Sequence, residues 1–485
     1  MHRCYLPLLF LAALSATSMV AESIPVGVSA ASELGRFDGE LRIPASETVG
    51  ESGAQVERIS LRVSGEGYGL VDFPGRDIFG LPCLPLIIAD GRFSFSIGTG
   101  GKVLRFDCEV RGPSTDRRIV GTISQGSLRG EFALSPAPAP SGYGDALGFA
   151  VPGGWIRGSL TLPEEGSRWP LVVLVSGPGS TDRDGNNYQV PGRTDSLGKL
   201  AAALAGSGVA SFRYDKRGTG ESLALAPDES SLRFDDYVTD LRAVIFALEK
   251  DGRFGRITVA GHAEGALVSA AALEGAGIAA PRPSLAIFAA TGVTAHDIFS
   301  KSIESAPPEL LDEGRAILAS LDAGKPWPDP SPYYAEFFRP SFQAYLSSWL
   351  RFDLKAILPR VGGRILLVQG DRDIQESLED FLSLAALLPS DPAVVIEAMN
   401  HVLKEVPSEV DANLAAFSDP SFPLPPTLVT CLAAFARGEE LPAGLARVDG
   451  GLLPARGAPG EGRPEGKGSV EAGTTSNSVA NSSQH

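Results

Sequence analysis

Residues 261–265 have the pattern of a turn that carries a catalytic serine, but alanine stands at the centre. The segment Gly261-His262-Ala263-Glu264-Gly265 matches Gly-x-Ser-x-Gly except at Ala263. In this pattern a tight turn between a strand and a helix exposes the central side chain, and the flanking glycines avoid a clash where the two elements cross. Alanine has no hydroxyl and cannot form an acyl-enzyme. We therefore expect a hydrolase-type site that lacks its nucleophile; the alternative is a chance glycine-rich turn.

A histidine and an aspartate follow later strands, in the chain order expected for such a site. His401 is one of five histidines and comes directly after the last predicted strand. Asp373 closes the segment Gly370-Asp371-Arg372-Asp373 and fits the usual Gly-x-x-Asp spacing better than Asp371. The order nucleophile, acid, histidine is that of α/β-hydrolases, in which the acid orients the imidazole. We predict that Asp373 and His401 are catalytic; a structural histidine and solvated turn aspartates are the alternatives.

Backbone amides that would face a developing oxyanion are expected in two places. One is the residue after the nucleophile position, Glu264, and the other lies in the glycine-rich loop after the first strong strand. That loop contains Gly177-Pro178-Gly179, and because proline has no N–H, Gly179 is the better donor candidate. A charged segment at 213–222 is expected to connect the loops above the sheet.

The elements that must position these residues alternate between strand and helix from residue 148 onwards. Helical spacing predicts a helix over 234–250, with Tyr237, Leu241, Val244 and Leu248 on one face. Such alternation indicates right-handed βαβ units. We therefore predict an α/β-hydrolase fold with a mostly parallel, doubly wound sheet. The continuous apolar run at 171–175 is typical of a parallel strand buried on both faces. Further strands are predicted at 209–214, 257–260, 285–289, 365–368 and 394–396.

A long insertion with helical character separates two of these strands and is predicted to form a cap. It carries Phe338, Phe342, Tyr345 and Trp349, whose spacing of four, three and four residues places them on one helix face. Aromatic stripes usually fill cores, so we favour packing under the cap. The alternative is the apolar wall of a substrate pocket.

The N-terminal part of the chain is predicted to be an all-β domain. Ile59, Leu61 and Val63 alternate with polar residues, as half-buried strands do, and a similar alternation occurs at 92–97. An antiparallel sandwich or small barrel is expected. Cys83 and Cys108 both lie in this domain, and in an exported protein we expect them to form a disulfide.

The two ends of the chain differ in composition from the domains. Residues 5–16 form an apolar run too short to span a bilayer, and small residues follow it. This pattern predicts a signal peptide cleaved after Ser18 or Ala21 and a secreted or periplasmic protein; an uncleaved anchor is the alternative. The predicted organisation is a signal peptide at 1–21, an all-β domain at 22–135, a linker at 136–147, an α/β domain at 148–437 with a cap insertion at about 292–360, and a disordered tail at 438–485.

Composition narrows the classes of partner. The net charge of −16 disfavours nucleic acid and anionic membrane surfaces. No Cys-x-x-Cys motif or histidine-rich cluster occurs, so we expect neither a metal site nor a cofactor. We also expect no membrane span in the mature protein. A small, ester-like molecule is the expected ligand, and the oligomeric state is left open.

Together these segments resemble bacterial secreted α/β-hydrolases of the carboxylesterase type that have an N-terminal β domain. The resemblance covers residues 148 to about 436. It implies a serine at position 263 and hydrolysis of short-chain esters. The family usually also has serine where this chain has Pro178, so both departures fall on the catalytic machinery. The segments that carry the resemblance are Asp182-Arg183-Asp184-Gly185, 213–222, 261–265, 370–375 and Asn400-His401-Val402-Leu403.

Several functions are compatible with this pattern. The favoured hypothesis is a non-catalytic or severely impaired member of the fold that still binds an ester-like ligand. The alternative is an active hydrolase, in which His401 activates water or in which Ser180 or Thr181 replaces the missing nucleophile. A third alternative, a deliberately introduced alanine, is less consistent with the signal peptide that the chain still carries.

Overall fold

The computed structural model describes two β-sheets, one in each predicted domain. The described residues are 35–44, 55–113 except 66, 84, 85, 87, 100 and 101, 116–138, 143–275, 282–442 and 446–447. The predicted signal peptide and most of the predicted tail lie outside these ranges. Within them, no helix is both long enough and apolar enough to cross a membrane.

The first sheet is antiparallel and nearly closes into a barrel. Its strand order along the sheet is β4-β3-β2-β1-β8-β7-β6-β5, and the two edge strands come into contact with each other. The alternating apolar residues predicted from the sequence point into one buried cluster, which confirms the all-β prediction. The strands are β1 (Gly35–Ile43), β2 (Gln55–Val63), β3 (Gly69–Phe73), β4 (Ile78–Cys83), β5 (Arg92–Thr99), β6 (Lys102–Arg111), β7 (Arg118–Gln125) and β8 (Leu128–Pro136).

A glycine in β7 allows an aromatic ring to lie against the wall of this barrel. A Cβ at Gly121 would be 2.6 Å from the Cζ of Phe132 and would collide with the Asp107 carbonyl oxygen. The Phe132 ring lies 6.0 Å from Phe106, which stacks on Phe95 with ring centroids 4.5 Å apart. The core of the β domain is therefore built around stacked phenylalanines.

The second sheet has nine strands in the order β17-β16-β15-β14-β13-β11-β12-β10-β9. Strands β11 to β16 are parallel, whereas β9, β10 and β17 pair antiparallel at the two edges. The strands are β9 (Asp145–Val151), β10 (Gly154–Thr161), β11 (Trp169–Val175), β12 (Ala210–Tyr214), β13 (Phe254–His262), β14 (Ser284–Phe288), β15 (Ile365–Gly370), β16 (Ala393–Ile396) and β17 (Ala446–Arg447).

Helices cover both faces of this sheet, because its central strands are apolar on both sides. On one face α2, α3 and the cap helices form the larger core, and on the other α1 and α10 form a second. The helices are α1 (Ser196–Gly206), α2 (Phe234–Glu249), α3 (Glu264–Leu273), α4 (Ala295–Glu304), α5 (Leu311–Asp322), α6 (Pro340–Trp349), α7 (Leu354–Ile357), α8 (Leu378–Ala385), α9 (Val410–Ala415) and α10 (Pro426–Arg437). This is the predicted α/β-hydrolase fold.

The cap consists of α4 to α7, inserted between β14 and β15. Phe338, Phe342 and Tyr345 are buried in the larger core, and Trp349 packs against it. The Phe342 and Tyr345 rings are stacked with centroids 5.0 Å apart. The favoured prediction of aromatic packing is confirmed for this stripe.

The predicted disordered tail is wrong at its beginning. Gly438 has a φ of 78° and ends α10, and Leu441 is buried in the core that α10 helps to form. Residues 446 and 447 then form β17 beside β16. The prediction rested on the overall composition of 438–485, and it gave no weight to one apolar residue that lies where it can join the core.

The predicted disulfide is also contradicted, because Cys83 and Cys108 are both free and buried. The Cys83 thiol contacts the Leu81 carbonyl oxygen at 3.8 Å. Burial raises the pKa of both thiols well above the usual value, so they stay protonated. The two residues act as small apolar side chains in the barrel core.

We therefore predict that Cys83 and Cys108 react with iodoacetamide only after unfolding. Burial excludes the reagent from the folded domain, and the raised pKa removes the reactive thiolate. Peptide mass spectrometry after alkylation without reductant, with and without urea, measures this. A disulfide-linked peptide pair in the unreduced sample would contradict the prediction.

Candidate active site

Ala263 lies at a sharp turn between β13 and α3, as the pattern at 261–265 predicts. Its backbone has φ 49° and ψ −115°, and only glycine adopts such a positive φ without strain. The Ala263 amide donates to the Phe288 carbonyl oxygen at 2.9 Å, and its own carbonyl oxygen accepts from the Ala266 amide at 3.0 Å. The turn therefore has the strained conformation of a nucleophile turn, with a methyl group in place of the hydroxymethyl group.

The two flanking glycines are required by the crossing of strand and helix. A Cβ at Gly261 would collide with the Gly265 carbonyl oxygen. A Cβ at Gly265 would lie 2.5 Å from the Val175 carbonyl oxygen and 2.6 Å from that of Ser176. The close approach thus brings the start of α3 directly against the end of β11.

Asp373 and His401 form a hydrogen-bonded pair beyond the ends of β15 and β16. The His401 Nδ1 lies 3.0 Å from the Asp373 Oδ2, and the side chains are 4% and 1% exposed. The other carboxylate oxygen of Asp373 accepts from the amides of Gln375 and Glu376, at 2.8 and 2.9 Å. The carboxylate is therefore fixed by three hydrogen bonds.

The electrostatics of the pair fit a general base. Burial lowers the pKa of His401, but the Asp373 charge and hydrogen bond outweigh it, so the pKa is raised. Burial raises the pKa of Asp373, and His401 together with the two amides reverses this. Because Asp373 accepts at Nδ1, Nε2 is the nitrogen that can take up a proton. Asp371, the less favoured candidate, instead accepts from the Ala398 amide at 2.7 Å.

Two asparagines hold the His401 loop: Asn400, which was named only within the segment 400–403, and Asn413, which was not predicted from the sequence. The Asn400 Oδ1 accepts from the Lys404 amide at 2.9 Å, and its Nδ2 lies 3.1 Å from the Asn413 Oδ1. Asn413 also donates to the Arg372 carbonyl oxygen at 2.7 Å, which connects the histidine loop to the acid loop. The signal available in the sequence was an amide side chain directly before a candidate catalytic histidine.

His262 connects the turn at Ala263 to the His401 loop. Its Nε2 lies 2.8 Å from the His401 carbonyl oxygen, and the two rings are 5.0 Å apart. Burial, and then the nearby His401, lower the pKa of His262 to about 4, so it is neutral at pH 7. A carbonyl oxygen can only accept, so Nε2 carries the proton. His262 is thus a positioning residue that the sequence analysis noted only as part of the motif.

The glycine-rich loop after β11 lies against the turn. A Cβ added at Gly177 would be 3.1 Å from the His262 Nδ1 and 3.9 Å from the Ala263 Cβ. Gly179 has a φ of 65°. The Glu264 amide is the first of α3 and has no acceptor within the helix. The structure thus brings this loop to Ala263, and the donor roles of Gly179 and Glu264 stay predictions.

The hydroxyl groups proposed as replacement nucleophiles are engaged within that loop. The Thr181 hydroxyl donates to the Pro178 carbonyl oxygen at 2.6 Å, and the Thr181 carbonyl oxygen accepts from the Ser176 hydroxyl at 3.0 Å. Ser180 interacts with the Tyr188 hydroxyl. These contacts favour a structural role for both hydroxyls.

A buried ion pair lies beside the turn and was missed in the sequence. The Lys216 Nζ donates to the Glu264 Oε1 at 2.9 Å and to the Gly177 carbonyl oxygen at 2.5 Å. The Tyr345 hydroxyl donates to the Glu264 Oε2 at 2.7 Å, and the ammonium lies 5.0 Å from the centre of the Tyr237 ring. This cluster joins the helix start, the glycine-rich loop and the cap. Its members are far apart in sequence, so local patterns could not reveal it.

A second carboxyl group lies close to His401. Burial raises the pKa of Glu376 to about 7, although His401 and a hydrogen bond to Thr291 oppose the change. A carboxyl group with this pKa is partly protonated at neutral pH and can donate as well as accept. It adds a polar group to the site that the sequence analysis did not predict.

The charged loops above the sheet are connected to each other, as predicted for 213–222. Arg213 donates to Asp184 at 2.7 Å, and Asp215 accepts from Arg183 at 2.5 Å.

Across the described ranges, no group of three or more histidine, cysteine, aspartate or glutamate residues is arranged to hold a metal ion.

Comparisons with known proteins concern the α/β domain. A family profile described as "Serine aminopeptidase, S33" matches residues 190–310, which include Ala263 but neither Asp373 nor His401. No curated protein matches. Among solved structures, Est1E from Butyrivibrio proteoclasticus is 16% identical, with a TM-score of 0.37, over 57% of this chain and 95% of its own. XC6422 from Xanthomonas campestris is 20% identical, with a TM-score of 0.32, over 55% of this chain and 89% of its own. The chain is therefore similar to a serine hydrolase family over about a quarter of its length.

The Asp373–His401 pair predicts a specific change in titration. We expect Asp373→Asn to lower the pKa of His401, because the loss of the negative charge leaves burial to disfavour the imidazolium. Asp371→Asn is the matched control and should leave it nearly unchanged. NMR titration of histidine side chains in both variants measures this, and equal effects of the two changes would refute the pairing.

The ion pair beside the turn predicts a stability effect. Lys216→Met leaves the Glu264 carboxylate buried without its cation, since the side chains are only 1% and 6% exposed. We expect a loss of about 3–5 kcal/mol in the free energy of unfolding. The double variant Lys216→Met with Glu264→Leu should recover most of it. Urea denaturation measures both values, and a single variant as stable as the double one would show that the pair is not coupled.

Proposed function

We propose that this protein binds a small ester-like molecule in a hydrolase-type site but does not form an acyl-enzyme. The observation that carries the proposal is Ala263, held at φ 49° in the nucleophile position of a site with a hydrogen-bonded Asp373–His401 pair. Alanine at this position lacks the attacking hydroxyl that the arrangement would otherwise use. The apolar run at 5–16 supports the further proposal that the protein acts after export.

Binding would use the groups that normally stabilise the reaction. The ligand carbonyl oxygen would accept from the amides of Glu264 and Gly179, and its other polar atoms would face His401 and Glu376. Because α3 has ten residues and begins at Glu264, its N-terminus adds a favourable field for a partial negative charge. The methyl group of Ala263 leaves the carbonyl carbon without a nucleophile.

One observation favours a second candidate function, slow hydrolysis by water. With Nδ1 bound to Asp373, His401 can accept a proton at Nε2. Water would then attack the ester carbonyl directly. Its oxygen would bond to the carbon, His401 would take the proton and return it to the leaving alcohol, and the acid would be released.

The decisive test is to restore the hydroxyl. We expect Ala263→Ser to raise turnover of a short-chain aryl ester by several orders of magnitude, because loss of the triad serine costs about 10⁶-fold in kcat in a serine protease. Pro178 removes one possible oxyanion donor, which is typically worth about 10²–10³-fold. The double variant Ala263→Ser with Pro178→Ser should therefore exceed the single one. A chromogenic ester assay measures all rates.

Two controls separate the candidate functions. Ala263→Gly removes the methyl group without adding a hydroxyl and should stay at the wild-type rate, whereas His401→Ala should abolish the gain from serine. Wild-type turnover that disappears in His401→Ala would support hydrolysis by water. Equal turnover of wild type and Ala263→Ser would reject the proposed binding function.

A further inference from the structure

The β domain contacts the glycine-rich loop after β11 rather than lying apart from the site. The loop, residues 176–193, begins against Ala263 and ends on the β domain. The Gly192 amide donates to the Asp77 carbonyl oxygen at 2.6 Å, and the Arg193 guanidinium lies 5.4 Å from the centre of the Phe79 ring. Asp77 directly precedes β4, and Phe79 lies within it.

A second contact inserts a side chain of the loop into the β domain. Tyr188 packs against the hydrophobic cluster of the barrel, whose other members among the described residues all belong to the β domain. Its hydroxyl interacts with Ser180, the residue after the predicted oxyanion donor Gly179. The ring thus connects the barrel core to the part of the loop nearest the site.

A third contact is electrostatic and passes through Glu221. One carboxylate oxygen of Glu221 accepts from Arg183 of the loop at 2.6 Å, and the other accepts from Arg62 of β2 at 3.0 Å. The Glu221 carbonyl oxygen also accepts from the Tyr68 hydroxyl at 2.8 Å. Burial raises the pKa of Glu221, but Arg183 and Arg62 outweigh it and lower the pKa, so the carboxylate is charged.

Hydrogen bonds within the loop extend these contacts to the site. The Arg183 amide donates to the Asp215 Oδ1 at 2.8 Å, and Asp215 is almost completely buried. The Thr181 hydroxyl holds the Pro178 carbonyl oxygen at 2.6 Å. A loop tied at both ends and along its length has few conformations, which is what a preorganised amide donor requires.

We propose that the β domain is a positioning element of the active site: it holds residues 176–193 so that the Gly179 amide faces the ligand carbonyl. The role of Gly179 in this inference rests on the proposed function. The contacts between the β domain and residues 176–193 do not depend on it. In this proposal the β domain contributes to ligand binding at the site in the α/β domain and does not bind a ligand of its own.

The test changes two β-domain residues and leaves the loop itself unchanged: Phe79 lies beside Arg193 of the loop, and Arg62 reaches Arg183 of the loop through Glu221. Arg62→Leu with Phe79→Ala removes the ion pair to Glu221 and the ring beside Arg193. Arg111→Leu is the matched control, because it removes the Arg111–Glu109 pair at 2.9 Å within the β domain. If the double variant does not fold, Arg62→Leu alone is used for the test, because the Arg62 side chain is 34% exposed.

Hydrogen exchange measured by mass spectrometry on the otherwise wild-type protein tests the contacts. We expect faster exchange at 176–193 in the double variant, with β11, β13 and the barrel strands unchanged, and no change in the control. Unchanged exchange at 176–193 would overturn the proposal. So would an equal rise throughout the barrel, because that indicates unfolding of the β domain.

Ester turnover in the Ala263→Ser background tests the consequence. We expect the double variant to lower kcat about 10-fold or more with little change in KM, because an oxyanion donor acts mainly on the transition state. Faster exchange with an unchanged kcat would overturn the positioning role. If Ala263→Ser itself does not hydrolyse the ester, the proposed function fails, and exchange at 176–193 alone decides whether the β domain holds the loop.

Discussion

The crossing of β13 and α3 at Ala263 is the constraint on which the rest of the site depends. The backbones approach so closely that a Cβ at Gly261 would collide with the Gly265 carbonyl oxygen, and a Cβ at Gly265 would collide with the end of β11. Between them Ala263 is held at φ 49°, a conformation that costs about 1–3 kcal/mol for a residue other than glycine. The hydrogen bond to Phe288 and the burial of α3 against the sheet offset this cost. The neighbouring strands then end at the same edge, where Asp373 and His401 follow them.

Patterns that depend on nearby residues predicted the fold. The alternation of strands with helices, together with the continuous apolar run at 171–175, indicated the parallel sheet. Apolar residues at every second position indicated the barrel, because side chains on a strand alternate between its two faces. The pairing of His401 with Asp373 rather than Asp371 was also predictable, because it depends on the spacing after a strand. The ion pair of Lys216 with Glu264 and the bond from Tyr345 were not, since these contacts span 48 and 81 residues. Such partners are set by tertiary packing, which a single sequence does not encode in any local pattern.

The two errors have a common origin in arguments from composition. Two cysteines in one domain that was predicted to be exported suggested a disulfide, but a bond requires Cβ atoms that point toward each other. Cys83 and Cys108 instead serve the barrel core as small apolar side chains. The tail at 438–485 was judged from its overall content of glycine, proline and polar residues. One apolar residue, Leu441, is enough to join the core when a glycine ends the helix before it.

The buried pair beside the turn also bears on how a site without a nucleophile should be interpreted. Glu264 places a carboxylate next to the amide that would face a negative charge, and without a cation its field would oppose binding there. Lys216 neutralises that charge and holds the Gly177 carbonyl oxygen at the same time. Loss of one partner alone would leave an uncompensated buried charge, so each partner requires the other whether or not turnover occurs. The strained backbone at Ala263 is different, because a methyl side chain neither donates nor accepts a hydrogen bond and so gains nothing from a positive φ. That conformation, rather than the charged residues around it, is therefore the feature on which the proposed binding function rests.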